Sequence, residues 1–268
     1  MGHPRARTVD MSDAPQGDDW WLASDGRWYP PSSMTGSQLP PPPPAPPGAT
    51  NVLLAPALTG WVRGLMWVYV AVSAVMVGVG LAYWAAIESW RGGDLALDDL
   101  VAVEDTYNIV AGVQGLIWPA IFVLLIVWLA KAHTATTSLL AAPGARKYSR
   151  KWCIWVWFIP FANFISTPQV FAEHQRIADA DRTDGWVRGD WKSLPSSRLI
   201  PWWWVCFVAA FILSRTSTSE TVETVKDLGP YAASVLRDAL SDVAGAVGTA
   251  LGAVFIGRVG SKLARRIA

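Results

Sequence analysis

The residues able to do acid–base or metal chemistry are few and widely spaced in this chain of 268 residues. The three histidines, His3, His133 and His174, form none of the HxxxH or HExxH spacings that place two imidazoles on one helix face for a metal ion. Cys153 and Cys206 lack the CxxC spacing of zinc and redox sites. We therefore expect no metal, no cofactor and no catalytic residue.

Glu173 and His174 place a carboxylate next to an imidazole in the sequence. Neighbouring residues on a helix point about 100° apart, so these two are not expected to act as a pair. We interpret His174 as a side chain at the membrane interface. An enzyme acting on lipid would require a cytoplasmic carboxylate to converge with His174 in the fold.

The composition indicates an integral membrane protein. Only 16% of the residues are charged and the mean hydropathy is +0.27, which is too apolar for an ordinary soluble domain of this size. The uncharged run 65–87 is long enough to cross about 30 Å of hydrocarbon as a helix. Further spans are predicted at 110–130, 200–217 and 241–259. The sequence thus predicts an all-α membrane domain with four transmembrane helices over 60–268.

The tryptophan-rich segment 152–165 is expected not to cross the bilayer. Its 14 residues would extend only about 21 Å as a helix, and they include Pro160 and Asn163. Thr167 and Pro168 then predict the cap and first position of a new amphipathic helix. We predict that 152–180 forms a short re-entrant or interfacial helix followed by this amphipathic helix, with Asn163 satisfying backbone groups freed at the break.

The charge distribution predicts the orientation in the membrane. Lysines and arginines flank 152–180 on both sides and follow the last span, whereas six acids lie in the predicted loop 88–107. Basic segments remain in the cytoplasm, so both termini are expected there. Anionic lipid, and not nucleic acid, is the expected partner of four basic residues: Arg146, Lys147, Arg150 and Lys151.

The last predicted span has a face of small residues that includes Gly245, Gly248 and Gly252. Such a face allows close approach of another helix. Packing within the bundle is the favoured interpretation, and a homo-oligomer through this helix is the alternative.

The tail 1–50 is predicted to be largely disordered and cytoplasmic, with an aromatic motif at 20–31 and a polyproline spacer at 40–47. Asp25 and Gly26 form the dipeptide preferred in a two-residue hairpin turn, and Trp21, Trp28 and Tyr29 could pair across it. The motif resembles a short tryptophan motif, WWxASDGxWYPP, of actinobacterial membrane proteins. Binding of a protein partner and a disordered aromatic tail both remain open.

A second resemblance covers the membrane domain from about Gly60 to the end of the third span. Trp128 and Lys131 lie at the end of the second span. The pattern WFIPxxN follows, from Trp157 through Pro160 to Asn163, with Pro168 five residues later. Three tryptophans at 202–204 then open the next span. These features resemble the actinobacterial membrane family catalogued as domain of unknown function 4328. The resemblance implies four helices and a bacterial cytoplasmic membrane, and no known reaction.

Three functions therefore stand as hypotheses. The favoured one is a non-enzymatic envelope scaffold, tether or regulatory protein, because the tail has an aromatic motif and a proline spacer and the sequence offers no catalytic set. A small transporter or channel subunit is the alternative, although such proteins usually hold charged residues within their spans. A membrane enzyme acting on lipid comes third.

Overall fold

The computed structural model describes residues 12, 20–22, 28–29, 56–140, 144, 146–159, 161–183, 186–187, 189–215, 221–222 and 227–267. The chain forms two compact units, 1–49 and 50–268. Three predictions lie outside the described residues: the turn at Asp25 and Gly26, the spacer at 40–47, and the break at Pro160.

In the first unit, strands β1 (Trp21–Leu22) and β2 (Trp28–Tyr29) pair antiparallel. Trp21 lies opposite Tyr29, and Leu22 lies opposite Trp28. Ser12 bonds to the other edge of Trp28 through two backbone hydrogen bonds of 2.8 and 3.1 Å. The hairpin occupies the position predicted from the aromatic motif.

The second unit is built from six helices, one hairpin and a short 3₁₀ helix in the described residues. In chain order they are α1 (Pro56–Gly92), α2 (Leu97–Thr137), α3 (Arg150–Trp155), α4 (Ala162–Asp179), β3 (Arg182–Thr183), β4 (Trp186–Val187), the 3₁₀ helix Gly189–Ser193, α5 (Leu199–Ser214) and α6 (Leu228–Ile267).

Three of these helices, α1, α2 and α6, are long and apolar enough to cross a membrane. They contain 37, 41 and 40 residues. The predicted span at 200–217 corresponds to α5, whose 16 residues extend about 24 Å, less than the hydrocarbon thickness of about 30 Å. Length therefore supports three of the four predicted crossings.

The predicted acidic loop at 88–107 is wrong, because α1 and α2 continue through most of it and only 93–96 connect them. Asp98 and Asp99 lie in the first turn of α2, where carboxylates stabilise the helix dipole. Glu104 is buried and accepts a hydrogen bond of 3.1 Å from the Tyr231 hydroxyl, which is also 2.8 Å from the hydroxyl of Tyr83. This end of the bundle thus has a core of its own.

Helices α1 and α6 pack along each other at the centre, with α2 against α1 and α5 against α6. The small face of α6 is covered by these neighbours. A Cβ at Gly248 would lie 3.1 Å from that of Cys206, one at Gly252 would lie 2.9 Å from the Met66 methyl, and one at Gly245 would lie 3.6 Å from the Tyr69 hydroxyl. A homo-oligomer through these glycines would have to displace α5.

The segment 152–165 does not form a spanning helix. Helix α3 has six residues, about 9 Å, and α4 begins at Ala162 after Phe161, whose φ of 61° lies in the left-handed region. The predicted helix start at Thr167 and Pro168 is wrong, since Pro168 lies inside α4. The amide oxygen of Asn163 accepts from the Thr167 hydroxyl at 2.8 Å, one turn along α4.

Helix α4 was predicted to lie amphipathically in the interface, yet over 170–178 both of its faces are largely buried. Val170 and Phe171 pack in the main core, while Glu173, His174 and Gln175 on the polar side are also buried. The polar side chains find partners in the protein, so this face does not need water.

Candidate functional site

A buried ion pair between Arg146 and Glu173 organises the end of the bundle at which α4 lies. The Arg146 Nε donates to Glu173 Oε1 at 2.9 Å, and the two side chains are only 4% and 6% exposed. Arg146 Nη1 also donates to the hydroxyls of Thr136 and Thr137, at 2.6 and 3.0 Å. The backbone N–H of Lys147 donates to Glu173 Oε2 at 3.0 Å. The pair therefore has the additional hydrogen bonds that a buried ion pair requires.

His174 is part of this network and is fully buried, so its prediction as an interfacial side chain is wrong. Its Nδ1 lies 2.7 Å from the Val170 carbonyl, which only accepts, so Nδ1 carries the proton. Nε2 then accepts from Arg146 Nη2 at 3.3 Å. Burial, and next the positive charge of Arg146, lower the pKa of His174 well below its ordinary value. The imidazole is thus neutral at physiological pH.

A second imidazole, that of His133, lies beside it, with 5.9 Å between the two ring centroids. His133 Nε2 donates to the Tyr148 carbonyl at 3.1 Å. Both histidines therefore hold backbone in place. In the part of the chain that the structure describes, no three His, Cys, Asp or Glu side chains are arranged to hold a metal ion.

The sequence analysis did not predict the buried contacts of Arg146. It was grouped with the exposed residues Lys147, Arg150 and Lys151 as a lipid contact, but unlike them its guanidinium is buried and paired with Glu173. Glu173 and His174 do not pair with each other, as expected, yet Arg146 contacts both. The sequence held one signal of such a pairing. Arg176 is the only basic residue within one helical turn of Glu173 in the sequence.

An open cavity of about 850 Å³, which we call the basic pocket, lies directly beside the buried ion pair. The pair forms its floor. One wall is polar and basic and the other is apolar, from the start of α5. The lining includes Lys147, Tyr148, Gln169, Arg176, Trp191 and Lys192 on the first wall and Ile200, Pro201, Trp204 and Val205 on the second.

The basic pocket has an excess of positive charge. Arg146 and Glu173 neutralise each other, which leaves Lys147, Arg176 and Lys192 without an opposing carboxylate among the lining residues. The Lys192 ammonium lies 5.5 Å from the Trp191 ring centre. Nε of Arg176 is buried and has no hydrogen-bond partner within the described residues. A negatively charged group would satisfy these donors.

A second cavity, of about 320 Å³, lies among α1, α2, α5 and α6, and we call it the helix cavity. Gln114 and Asp242 lie in its wall, and the Gln114 amide donates to Ser73 Oγ and to Asp242 Oδ1, both at 2.9 Å. Asp242 lies inside α6, which begins at Leu228.

Several of the remaining predicted residues line these cavities: Trp157, Gly245 and Gly248 line the helix cavity, and Pro168 lines the basic pocket. Trp157 is 8% exposed and packs edge-on against Phe122 and Phe171. Trp21, Trp28 and Tyr29 belong to the separate first unit.

The family profile described as domain of unknown function (DUF4328) matches residues 91–261. The chain belongs to this family. The matched region contains α2 to α5 and most of α6, the last helix, so it includes the whole basic pocket. It begins at residue 91, later than the start near Gly60 that the resemblance gave. No curated protein and no solved structure matches the chain.

Proposed function

We propose that this protein is a non-enzymatic membrane scaffold that holds the headgroup of an anionic phospholipid in the basic pocket. The observation that carries this proposal is that three cations with no opposing carboxylate among the described lining residues lie across from an apolar wall at the start of α5. Phosphate oxygens would accept from Lys147, Arg176 and Lys192, and the first methylenes of the acyl chains would lie along Trp204 and Val205. Each cation near an anionic leaflet contributes about 1 kcal/mol of attraction.

The proposed topology has four crossings with both termini in the cytoplasm, which places the basic pocket at the inner leaflet. The path of the chain supports it. Trp204 near the start of α5 contacts Phe164 of α4, whereas Val222 donates its N–H to Glu104 at the opposite end of the bundle. Between 204 and 222 the chain thus passes from one end to the other, although α5 alone is short.

The non-enzymatic part of the proposal is supported by how the polar groups are used. Both ring nitrogens of His174 are hydrogen-bonded, and the carboxylate and guanidinium beside it hold α4 to the end of α2. These bonds fasten the floor of the basic pocket. A fixed floor suits binding of a headgroup better than proton transfer, which needs a group that substrate can reach.

The tail 1–50 would then be the tethering element. A fusion of residues 1–50 to a carrier is expected to capture a protein partner from the native membrane extract, and Trp28→Ala should abolish this capture. Equal capture by the Trp28→Ala tail would remove the tethering role and leave the lipid proposal untouched.

Topology is tested by cysteine labelling of intact cells, with Cys153 and Cys206 replaced. Single cysteines in place of Asp98 and Glu220 should react with an impermeant maleimide, and one in place of Lys192 should react only after lysis. Labelling of position 192 in intact cells would overturn the topology.

Lipid binding is tested with the full chain in detergent, by native mass spectrometry with phosphatidylglycerol, phosphatidylcholine and glycerol 1-phosphate. We expect phosphatidylglycerol to bind at least tenfold more tightly than phosphatidylcholine, and glycerol 1-phosphate to bind weakly for lack of acyl chains. The triple variant Lys147→Gln, Arg176→Gln, Lys192→Gln should lose this preference. The matched control Arg150→Gln, Lys151→Gln removes exposed charges outside the pocket and should retain it. Equal losses in both variants would contradict a specific site.

A further inference from the structure

The helix cavity has the size and composition of a small-molecule site. Its volume of about 320 Å³ falls within the range of such sites, and its wall is mostly apolar with a few polar groups. It is separate from the basic pocket in its chemistry, because its charged lining residue is an acid. The proposed lipid headgroup site does not explain it.

Seven aromatic side chains line the helix cavity. Trp204 stacks on Phe207 with 5.0 Å between ring centroids, and Trp118 lies 6.2 Å from Phe207. Trp203 and Phe211 complete this side. The faces of such rings carry negative potential and attract organic cations.

The mouth of the cavity lies between α2 and α5. Trp118 of α2 and Phe211 of α5 are each 39% exposed and line the cavity. With the topology proposed above, this mouth faces the hydrocarbon of the bilayer, so a ligand would enter from the membrane.

A single carboxylate lies within this aromatic wall. Asp242 accepts one hydrogen bond from Gln114, and the amide of Gln114 is shared with the buried Ser73. The ion pairs found among the described residues are Arg91 with Glu88, Arg146 with Glu173 and Lys262 with Asp179, so none involves Asp242. A carboxylate within a membrane bundle is costly unless a positive charge lies nearby.

A second observation comes from Trp157, which also lines the cavity. Its side chain is more than nine-tenths buried, and its Nε1 has no hydrogen-bond partner within the described residues. Gln114 and Trp157 thus place a polar group on α2 and another beside α3, with aromatic rings between them. The positive head of a ligand would compensate the Asp242 carboxylate, and an acceptor on the body of the ligand, where it has one, would accept from the Trp157 N–H.

We propose that the helix cavity binds an amphipathic organic cation, an amine or a quaternary ammonium compound with an aromatic or aliphatic body. The positive head lies between the Asp242 carboxylate and the rings of Trp118 and Phe207. The apolar body fills the space towards Trp157 and Trp203. Anions are rejected because they would face a carboxylate and the negative ring faces.

The test measures binding to the full chain in nanodiscs by isothermal titration calorimetry. The probe is benzyltrimethylammonium, and phenylmethanesulfonate serves as an anion of similar size and shape. We expect saturable binding of the cation at least tenfold tighter than binding of the anion. Asp242→Asn, which keeps the shape of the side chain, should weaken cation binding at least tenfold.

Two further variants keep the result interpretable. Glu88→Gln removes one acid outside the cavity and should leave cation binding unchanged. Ala210→Phe fills the cavity without removing a charge and should abolish it. The lipid-binding assay is run on the same variants, and the preference for phosphatidylglycerol should survive in all of them. Equal affinity for cation and anion, or unchanged cation binding in Asp242→Asn, would overturn the proposal.

Discussion

The indole N–H of Trp204 donates to the backbone carbonyl of Phe164 at 2.8 Å, which joins α5 to α4. In a helix, the carbonyl of residue 164 would accept from the N–H of residue 168, but residue 168 is a proline and has none. The tryptophan thus replaces the donor that Pro168 lacks, and α4 continues through the proline. Trp204 also lines both cavities, so this bond fixes the wall that they share.

Replacing Trp204 with Phe should lower the free energy of unfolding by about 1 to 3 kcal/mol, because it leaves the Phe164 carbonyl without a donor. The matched control is Trp202→Phe, since Trp202 is 65% exposed and should matter little. Thermal unfolding in detergent, followed by circular dichroism, measures both. Adding Pro168→Ala to Trp204→Phe restores a helical donor and should recover part of the loss. If it recovers nothing, the bond does not act through the proline.

Breaking the buried pair by Arg146→Gln should destabilise the protein by about 3 to 5 kcal/mol, because Glu173 would be left buried without its partner. The control is Arg91→Gln, which breaks the Arg91–Glu88 pair. Those side chains are 42% and 40% exposed, so the change should stay below about 1 kcal/mol. Chemical denaturation of both variants compares them. If the two variants lose similar amounts of stability, burial does not determine how much the Arg146–Glu173 pair contributes to the free energy of unfolding.

The stability should decrease on acidification below about pH 6.5, the ordinary pKa of histidine. The pKa of His174 is lowered in the folded state, so below pH 6.5 the unfolded chain binds a proton that the folded chain does not. Stability therefore rises with pH in this window, by up to about 1.4 kcal/mol per pH unit for this group. Unfolding temperatures of the wild type and His174→Gln between pH 5 and 8 test this. The variant should show a shallower dependence, and parallel curves would exclude His174 as the cause.

Gly260→Ala should destabilise the contact of α6 with α1 by about 1 to 3 kcal/mol. A Cβ there would lie 2.5 Å from the Thr59 methyl and 2.6 Å from its hydroxyl, which accepts a hydrogen bond from Trp128 Nε1 at 3.0 Å. Gly78→Ala is the control, since the added Cβ would have no atom within 4 Å besides the backbone of its own helix turn, and it should be neutral or stabilising. Thermal unfolding of the two variants gives the comparison. Unchanged stability of Gly260→Ala would mean that α1 adjusts to the extra methyl group.

Helix α4 shows why local patterns reached only part of this structure. The spacing of Val170, Phe171 and Ile177 predicted one apolar face and one polar face, and an interfacial position followed from the polar face. The polar residues are nevertheless buried, because Arg146 and the end of α2 supply their partners. Periodicity reports which residues share a face, but it does not report whether water or protein covers that face.

The sequence by itself determined the features that depend on composition and local order. These are the apolar runs that became α1, α2 and α6, the interruption of 152–165, the aromatic hairpin and the family. Only the tertiary structure decided which polar groups meet. Arg146 reaches Glu173 across 27 residues, and Gln114 reaches Asp242 across 128. Such contacts arise because a polar group removed from water must find a partner, and helix packing determines which partner lies within reach.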